Sequence, residues 1–263
     1  MRSARHFAFV SSVGVLGLFV LASSAATASS GCSSSSSSDP GAGDAGADTA
    51  ITPGAAKQKG RIIDGVDKFG VAGATVTIAG KSVVTKEDGT YEIEVPRDTP
   101  YRMSVTEAEH WKLNEQEWIV KKDLFDRTDT SLLSISIGNL LVSFIGTRDM
   151  AKGVLFVKVN PLPPCDSEQG AKVALETPGA SKVTYFTGGR PDKTATSTTK
   201  DEAFSALISD IDVGVPLKVI IDSPTCVQMP FPVDYQDVTY TGAQQAEAGM
   251  TLSYIRTFIS AKK

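Results

Sequence analysis

Ala74-Thr75-Val76-Thr77-Ile78 and, shortly after it, Thr90-Tyr91-Glu92-Ile93-Glu94-Val95 decide the fold class of this chain. In both runs the apolar residues alternate with polar ones, and a period of two sets each apolar series on one face of a strand. Asp88-Gly89 lies between the runs and supplies a tight hairpin turn, because glycine takes a positive φ without a Cβ clash. Working outward, Arg61-Ile62-Ile63-Asp64 opens an earlier strand, and Tyr101, Met103 and Val105 continue the alternation. Turn-forming clusters at 67–70, 79–80 and 97–100 punctuate these segments. Short strands at such close spacing predict a small antiparallel sandwich.

The same residues carry a resemblance. Gly60-Arg61-Ile62-Ile63-Asp64, Val71-Ala72-Gly73-Ala74-Thr75-Val76-Thr77-Ile78, Thr85-Lys86-Glu87-Asp88-Gly89-Thr90-Tyr91-Glu92-Ile93 and Tyr101-Arg102-Met103-Ser104-Val105 occur in that order. Together they resemble the carboxypeptidase regulatory-like domain, a family with a transthyretin-like β-sandwich fold. The resemblance covers residues 60–106. A diverged echo follows: Gly153 to Val159 alternates, Gly170 to Leu175 mirrors Gly73 to Ile78, and Thr198 to Phe204 parallels Thr85 to Tyr91. Asp201-Glu202-Ala203 replaces the Asp-Gly turn, and Val215 to Ile221 parallels Thr99 to Val105. Final strands are expected at Asp237 to Thr241 and Met250 to Ile259.

The expected fold is therefore all-β: two tandem antiparallel β-sandwich (transthyretin-like) domains at 60–130 and 151–263, with a short connecting helix in 131–150. Within that connection, Leu133, Ile137, Leu140, Leu141 and Phe144 fit one helical face, with Asp129 or Thr130 as N-cap and Gly146 as the stop. Ile135 and Ile137 beside Gly138-Asn139 also fit a hairpin. The stretch is too short to span a membrane.

The N-terminus has the form of an export signal. Arg2 and Arg5 precede an almost uninterrupted apolar run from Phe7 to Ala22, and small residues then lead to Cys32. Ser29-Ser30-Gly31-Cys32 resembles the lipobox of bacterial lipoproteins, in which the Cys becomes the acylated first residue, with Ser29 where that family usually has an apolar side chain. Ala26-Thr27-Ala28 also satisfies the small-x-small rule for an ordinary cleavage after Ala28. Three cysteines are present: Cys32, Cys165 and Cys226. Lipid on Cys32 leaves Cys165 and Cys226 as one pair in an oxidising compartment. Residues 1–31 are read as the signal peptide and 32–59 as a Ser/Gly/Ala/Asp-rich tether. It holds too few apolar groups to offset ordering entropy, and a coil of its length spans roughly 30 Å.

The formal charge is −4, from 26 Lys+Arg against 30 Asp+Glu, and it becomes more negative when Arg2 and Arg5 leave with the signal. No basic field for nucleic acid follows. Removal of the signal also takes His6, so His110 is the single histidine left. Triad-type catalysis needs a histidine with a nucleophile and an orienting group, and a zinc site needs three or four N/S ligands. One histidine and two paired cysteines do not supply a zinc site. The zinc peptidase domain sometimes attached to the family's module is therefore not expected, nor is the activity of transthyretin-like hydrolases, which rely on several histidines. Acid clusters leave a narrower alternative: an acid-pair enzyme, or calcium held by Asp123, Asp126 and Asp129 or by Asp210 and Asp212. Helix-terminal charge or solvation explains those aspartates equally well.

Trp111 and Trp118 are the candidate ligand-contact residues, since two exposed indoles on a sheet edge can grip a sugar ring or an apolar side chain. Closing the sandwich core is the competing role. What the sequence predicts is a non-enzymatic, exported lipoprotein of the bacterial cell envelope, associated with the outer membrane through a lipid anchor at Cys32. It would present β-sandwich modules to a protein or polysaccharide partner, with no cofactor and no metal. A soluble secreted binding protein is the alternative.

Overall fold

Inward-facing residues at every second position fix the strands. The computed structural model describes residues 54–146 and 148–262. The assignments of residues 1–31 as signal, of Cys32 as lipid site and of most of the tether lie outside the described residues. The chain runs through β1 (Ala55–Asp64), β2 (Thr75–Ile78), β3 (Lys81–Val84), β4 (Thr90–Pro96) and β5 (Met103–Thr106). It continues through β6 (Lys112–Glu115), β7 (Trp118–Val120), β8 (Leu124–Asp126) and β9 (Thr130–Leu132) to helix α1 (Ile135–Ile145). After the helix come β10 (Gly153–Pro161), β11 (Lys172–Leu175), β12 (Lys182–Thr187), β13 (Arg190–Asp192) and β14 (Ala206–Ile211). β15 (Val219–Asp222), β16 (Cys226–Gln228), β17 (Val233–Tyr235), β18 (Val238–Tyr240) and β19 (Thr251–Ala261) complete it. The architecture is mostly β, with one short helix among the described residues.

In the first half, β4-β1-β8 form one layer and β3-β2-β5-β6 the other. Tyr91, Ile93 and Val95 from one layer meet Val76, Ile78, Met103 and Val105 from the other in a single buried cluster. Each such large side chain contributes about 1.5–3 kcal/mol on burial. The tether ends earlier than its composition predicts: Ala55–Lys59 are strand, not coil. Ala56 and Gln58 are fully buried there, and Gln58 Nε2 donates to the Tyr91 hydroxyl (3.0 Å) while its Oε1 accepts from Tyr101 Oη (3.0 Å). A buried amide satisfied on both sides holds this segment in the sheet despite its polar sequence.

The two halves share one ten-stranded sheet, ordered β13-β12-β14-β10-β19-β6-β5-β2-β3, with β16 as the tenth strand paired to the end of β19. Its join is β19, which runs parallel to β10 on one side and parallel to β6 on the other. This central sheet separates two cores. Val154, Phe156, Leu252 and Phe258 face the first, and Leu155, Val157, Val159, Ile255 and Ile259 face the second, closed by β11 and β15. Cys165 and Cys226 are disulfide-bonded beside the second core, with Cα atoms 6.1 Å apart.

A small hydrogen-bonded staple occurs twice. Thr85 Oγ1 receives the Ala74 N–H (2.9 Å) and donates to the Val71 carbonyl (2.7 Å), while the Thr85 N–H donates to the Ala74 carbonyl (2.9 Å). In the second half Thr198 Oγ1 receives the Ala171 N–H (3.0 Å) and donates to the Glu168 carbonyl, and the Thr198 N–H donates to the Ala171 carbonyl (2.9 Å). The residue before each alanine is a glycine in the left-handed region, Gly73 (φ 73°) and Gly170 (φ 78°), where a Cβ is disfavoured. The strands that follow pair alike: β2 with β5 from Thr75↔Thr106 to Ile78↔Met103, and β11 with β15 from Lys172↔Asp222 to Leu175↔Val219. Where the second half lacks the turn glycine, Asp201 takes the left-handed conformation (φ 61°).

The connecting segment is a helix rather than a hairpin. Its N-cap is Ser134, whose Oγ receives the Ile137 N–H (3.5 Å), not Asp129 or Thr130, because Thr130 is already in β9 paired to β1. Gly138 is the buried helix residue, and a Cβ there would lie 2.4 Å from the Trp111 ring. The expected packing face is only partly covered: Leu140 and Phe144 remain 52% and 47% exposed. No helix among the described residues is long and apolar enough to cross a membrane.

Candidate functional site

Two adjoining hollows open where β6, β12, β13 and β19 meet α1, with volumes of about 330 and 390 Å³. Gly65, Leu133, Phe186, Gly189 and Phe204 line both, so they form one cleft. The strand period builds its floor. Leu113 and Glu115 on β6, and Leu252, Tyr254 and Arg256 on β19, point to the same side of the sheet.

One end is polar. Arg127, held by β8 and the following loop, donates through Nη2 to both Glu115 oxygens and through Nε to Thr130 Oγ1 (2.9 Å). Both partners are nearly buried, and the guanidinium carbon sits 4.6 Å from the Trp118 ring centroid. Burial opposes the charge on Arg127, yet the Glu115 carboxylate and the Tyr91 and Tyr240 phenols hold its pKa above the ordinary arginine value. Arg256 is likewise raised, burial again being outweighed by Tyr254, Tyr240 and Glu115. Burial pushes the Tyr254 phenol up to about 12, so it stays protonated at neutral pH.

The other end is apolar. Phe156 and Phe204 stack at 4.3 Å, and Phe186 lies 6.1 Å from Phe204. Leu133 before α1, and Ile137, Leu141 and the exposed Leu140 and Phe144 of α1, continue the surface outward. Phe204 also meets Tyr254 edge-on at 6.2 Å, which links the two ends.

The structure places Trp111 and Trp118 elsewhere. They are 2% and 1% exposed, so neither indole offers a face to a ligand. Trp118 stacks edge-on with Tyr101 (5.6 Å) and Trp111 fills the space under Gly138. Both are core residues because each closes the layer beneath a neighbouring element.

His110 bridges two carboxylates. Its Nδ1 lies 2.5 Å from Glu107 Oε2 and its Nε2 3.2 Å from Asp64 Oδ2. Carboxylates only accept, so satisfying both contacts uses both ring nitrogens as donors and leaves neither free as a general base. Burial raises the pKa of Asp64 and of Glu107, but the hydrogen bonds from backbone N–H groups and from His110 outweigh it, and both end below the ordinary carboxylate value. A lowered folded-state value gives stability that is present above the unfolded carboxylate range, about pH 4, and is lost as pH falls through the folded values. His110→Ala is expected to lower stability at pH 7 by about 1–2 kcal/mol and to flatten the acid limb of the stability curve. Urea midpoints at neutral and acidic pH check this, and an unchanged acid limb would contradict it.

The aspartates singled out for calcium do not converge. Asp123 pairs with Arg97, Asp129 with Arg61 (3.7 Å), Asp210 with Lys182 (3.2 Å) and Asp212 with Lys152. Among the described residues no group of three or more His, Cys, Asp or Glu side chains is placed to hold a metal. Sequence reasoning missed Glu115, Arg127 and Arg256. The available signal was charge at inward positions of an alternating strand: Arg256 shares the period of Leu252 and Phe258, and Glu115 that of Leu113.

No family model and no curated protein sequence matches the chain. Among solved structures it is similar to the TIE protein of Bacillus anthracis (10% identity over 79% of this chain and 34% of that one, TM-score 0.24). It is also similar to a streptococcal ancillary pilin (10% identity, 80% of this chain and 63% of that one, TM-score 0.25). A third is the minor pilin of Streptococcus agalactiae (9% identity, 79% of this chain and 97% of that one, TM-score 0.23). The chain thus spans about a third and under two thirds of the first two. At these TM-scores the likeness carries no argument about fold or function.

Proposed function

We propose that this chain is a non-enzymatic lipoprotein of a bacterial cell envelope, anchored through an acylated Cys32. It presents two tandem transthyretin-like β-sandwich modules, at 60–130 and 151–263 and joined through α1, for binding or scaffolding at a membrane or cell surface. The order of features along the N-terminal sequence carries this reading. Arg2, Arg5, a long apolar run and Ser29-Ser30-Gly31-Cys32 come first, and a Ser/Gly/Ala/Asp-rich stretch follows before β1 opens at Ala55.

The repeated Thr85 and Thr198 staples, with matching strand registers, support a tandem pair of related modules. A binding role rather than a catalytic one is supported by what engages the reactive side chains. His110 has both nitrogens against carboxylates, and Cys165 and Cys226 are joined to each other. The external partner is a protein or a polysaccharide. Ala26-Thr27-Ala28 favours a second reading, a soluble secreted binding protein cleaved after Ala28.

Cys32→Ser tests the anchor in the native host. The expected result is movement of the protein from the membrane fraction to the soluble fraction, with the folded body unchanged. Equal membrane association of the two forms would overturn the lipid-anchor reading.

A further inference from the structure

One cation of the cleft is half-buried and has no acceptor among the described residues. Arg127 takes both oxygens of Glu115, Asp129 faces Arg61, and the Glu202 carboxylate accepts the Gly188 and Gly189 N–H groups (2.5 and 2.8 Å). Lys68 Nζ donates to the Gly65 carbonyl (2.6 Å) at the exposed rim, and Arg190 is exposed at the apolar end. Arg256 is different. Its guanidinium is half-buried, lines the polar end, lies 5.6 Å over the Tyr254 ring and has no hydrogen bond or ion pair to an acceptor among the described residues. A half-buried guanidinium with unfilled donors is a site for an anion, since an oxygen acceptor there satisfies donors that water reaches poorly.

The apolar half says what is attached to that anion. The Phe186 and Phe204 rings lead from Arg256 to Ile137, Leu141 and the exposed Leu140 and Phe144. One half-buried guanidinium without an acceptor, beside the Glu202 carboxylate at the same end, fits a monoanion better than a phosphate dianion. An extended peptide fits less well than an alkyl chain, because β13 at this rim carries Pro191, which has no N–H to offer an added strand. Together the hollows fall in the volume range of small-molecule sites.

We propose that the cleft binds a medium-chain monocarboxylate, with Arg256 taking the carboxylate and the Phe186, Phe204 and α1 surface taking the alkyl chain. The site stands on the cleft alone and holds whether or not Cys32 is acylated, so its failure and the failure of the anchor are separately visible.

Isothermal titration of the purified chain with sodium decanoate, below its micelle concentration, is the test, with sodium acetate and decyltrimethylammonium as the tail-less and charge-reversed probes. Saturable one-to-one binding of decanoate is expected, with no measurable binding of acetate and at least about tenfold weaker binding of the cation. Arg256→Gln should weaken decanoate about tenfold while Arg256→Lys retains part of the affinity. Leu140→Gln and Phe144→Gln, at exposed positions that do not threaten folding, should each weaken it several-fold. Equal binding of decanoate and decyltrimethylammonium, or decanoate affinity indifferent to both helix substitutions, would overturn the proposal.

Discussion

Glu115→Gln is expected to destabilise the protein by about 3–5 kcal/mol, the usual cost of leaving one member of a buried ion pair without its partner. Glu115 and Arg127 side chains are 7% and 10% exposed, and the carboxylate accepts through both oxygens from a single guanidinium nitrogen. Removing its charge leaves Arg127 against the Trp118 face, near Tyr91 and Tyr240, with Arg256 close by and of like sign. The pair itself is not a large net gain over an apolar pair, because two charges were desolvated to form it. The double substitution Glu115→Gln with Arg127→Met is therefore expected to cost much less than the sum of the two single changes. Urea unfolding with unchanged slope measures each loss as a shift in midpoint. A loss below about 1 kcal/mol for Glu115→Gln would mean the pair is hydrated, contrary to its burial here.

The second large effect belongs to the disulfide. Cys165 follows β10 and Cys226 opens β16, so the bridge ties the two ends of the excursion that carries β11 to β15. Closing a loop with a sequence separation of 61 constrains the unfolded chain by about 4 kcal/mol in the chain-entropy model. The joint change Cys165→Ser and Cys226→Ser is expected to lower the melting temperature by about 10 °C. Reduction of the native protein should reproduce the shift, and reduction of the double variant should add nothing. The effect concentrates in the second core, where both cysteines pack with Val173, Ile221 and Ile259. A reduced protein melting within about 2 °C of the oxidised one would show that the loop is already ordered in the unfolded state.

Much of the first half was legible because its strands have one buried and one exposed face. Tyr91, Ile93 and Val95 declare β4, and Met103 and Val105 declare β5. In β10 and β14 the signal disappears, since nearly every residue is buried by one core or the other and alternation no longer marks a face. Pairing of β19 with both β10 and β6 is a long-range choice that local periodicity does not encode, so the sheet that runs through both halves was not legible in the sequence. The helix was legible in extent, but not in its cap or in the role of Gly138, which answers to Trp111 across the fold. Trp111 and Trp118 attracted attention as rare aromatic residues, and their burial follows from closing layers beneath α1 and beside Tyr101. The cleft was less legible still. Arg127, Glu115 and Arg256 come from separate segments, and only the topology brings them together.

The central claim is a lipid-anchored body on a short N-terminal tether, and the most direct measurement is the mass of the N-terminal peptide of protein purified from its native host. The account predicts a mature N-terminus at Cys32 carrying a diacylglyceryl group. An unmodified N-terminus at Ser29, following cleavage after Ala28, would contradict it.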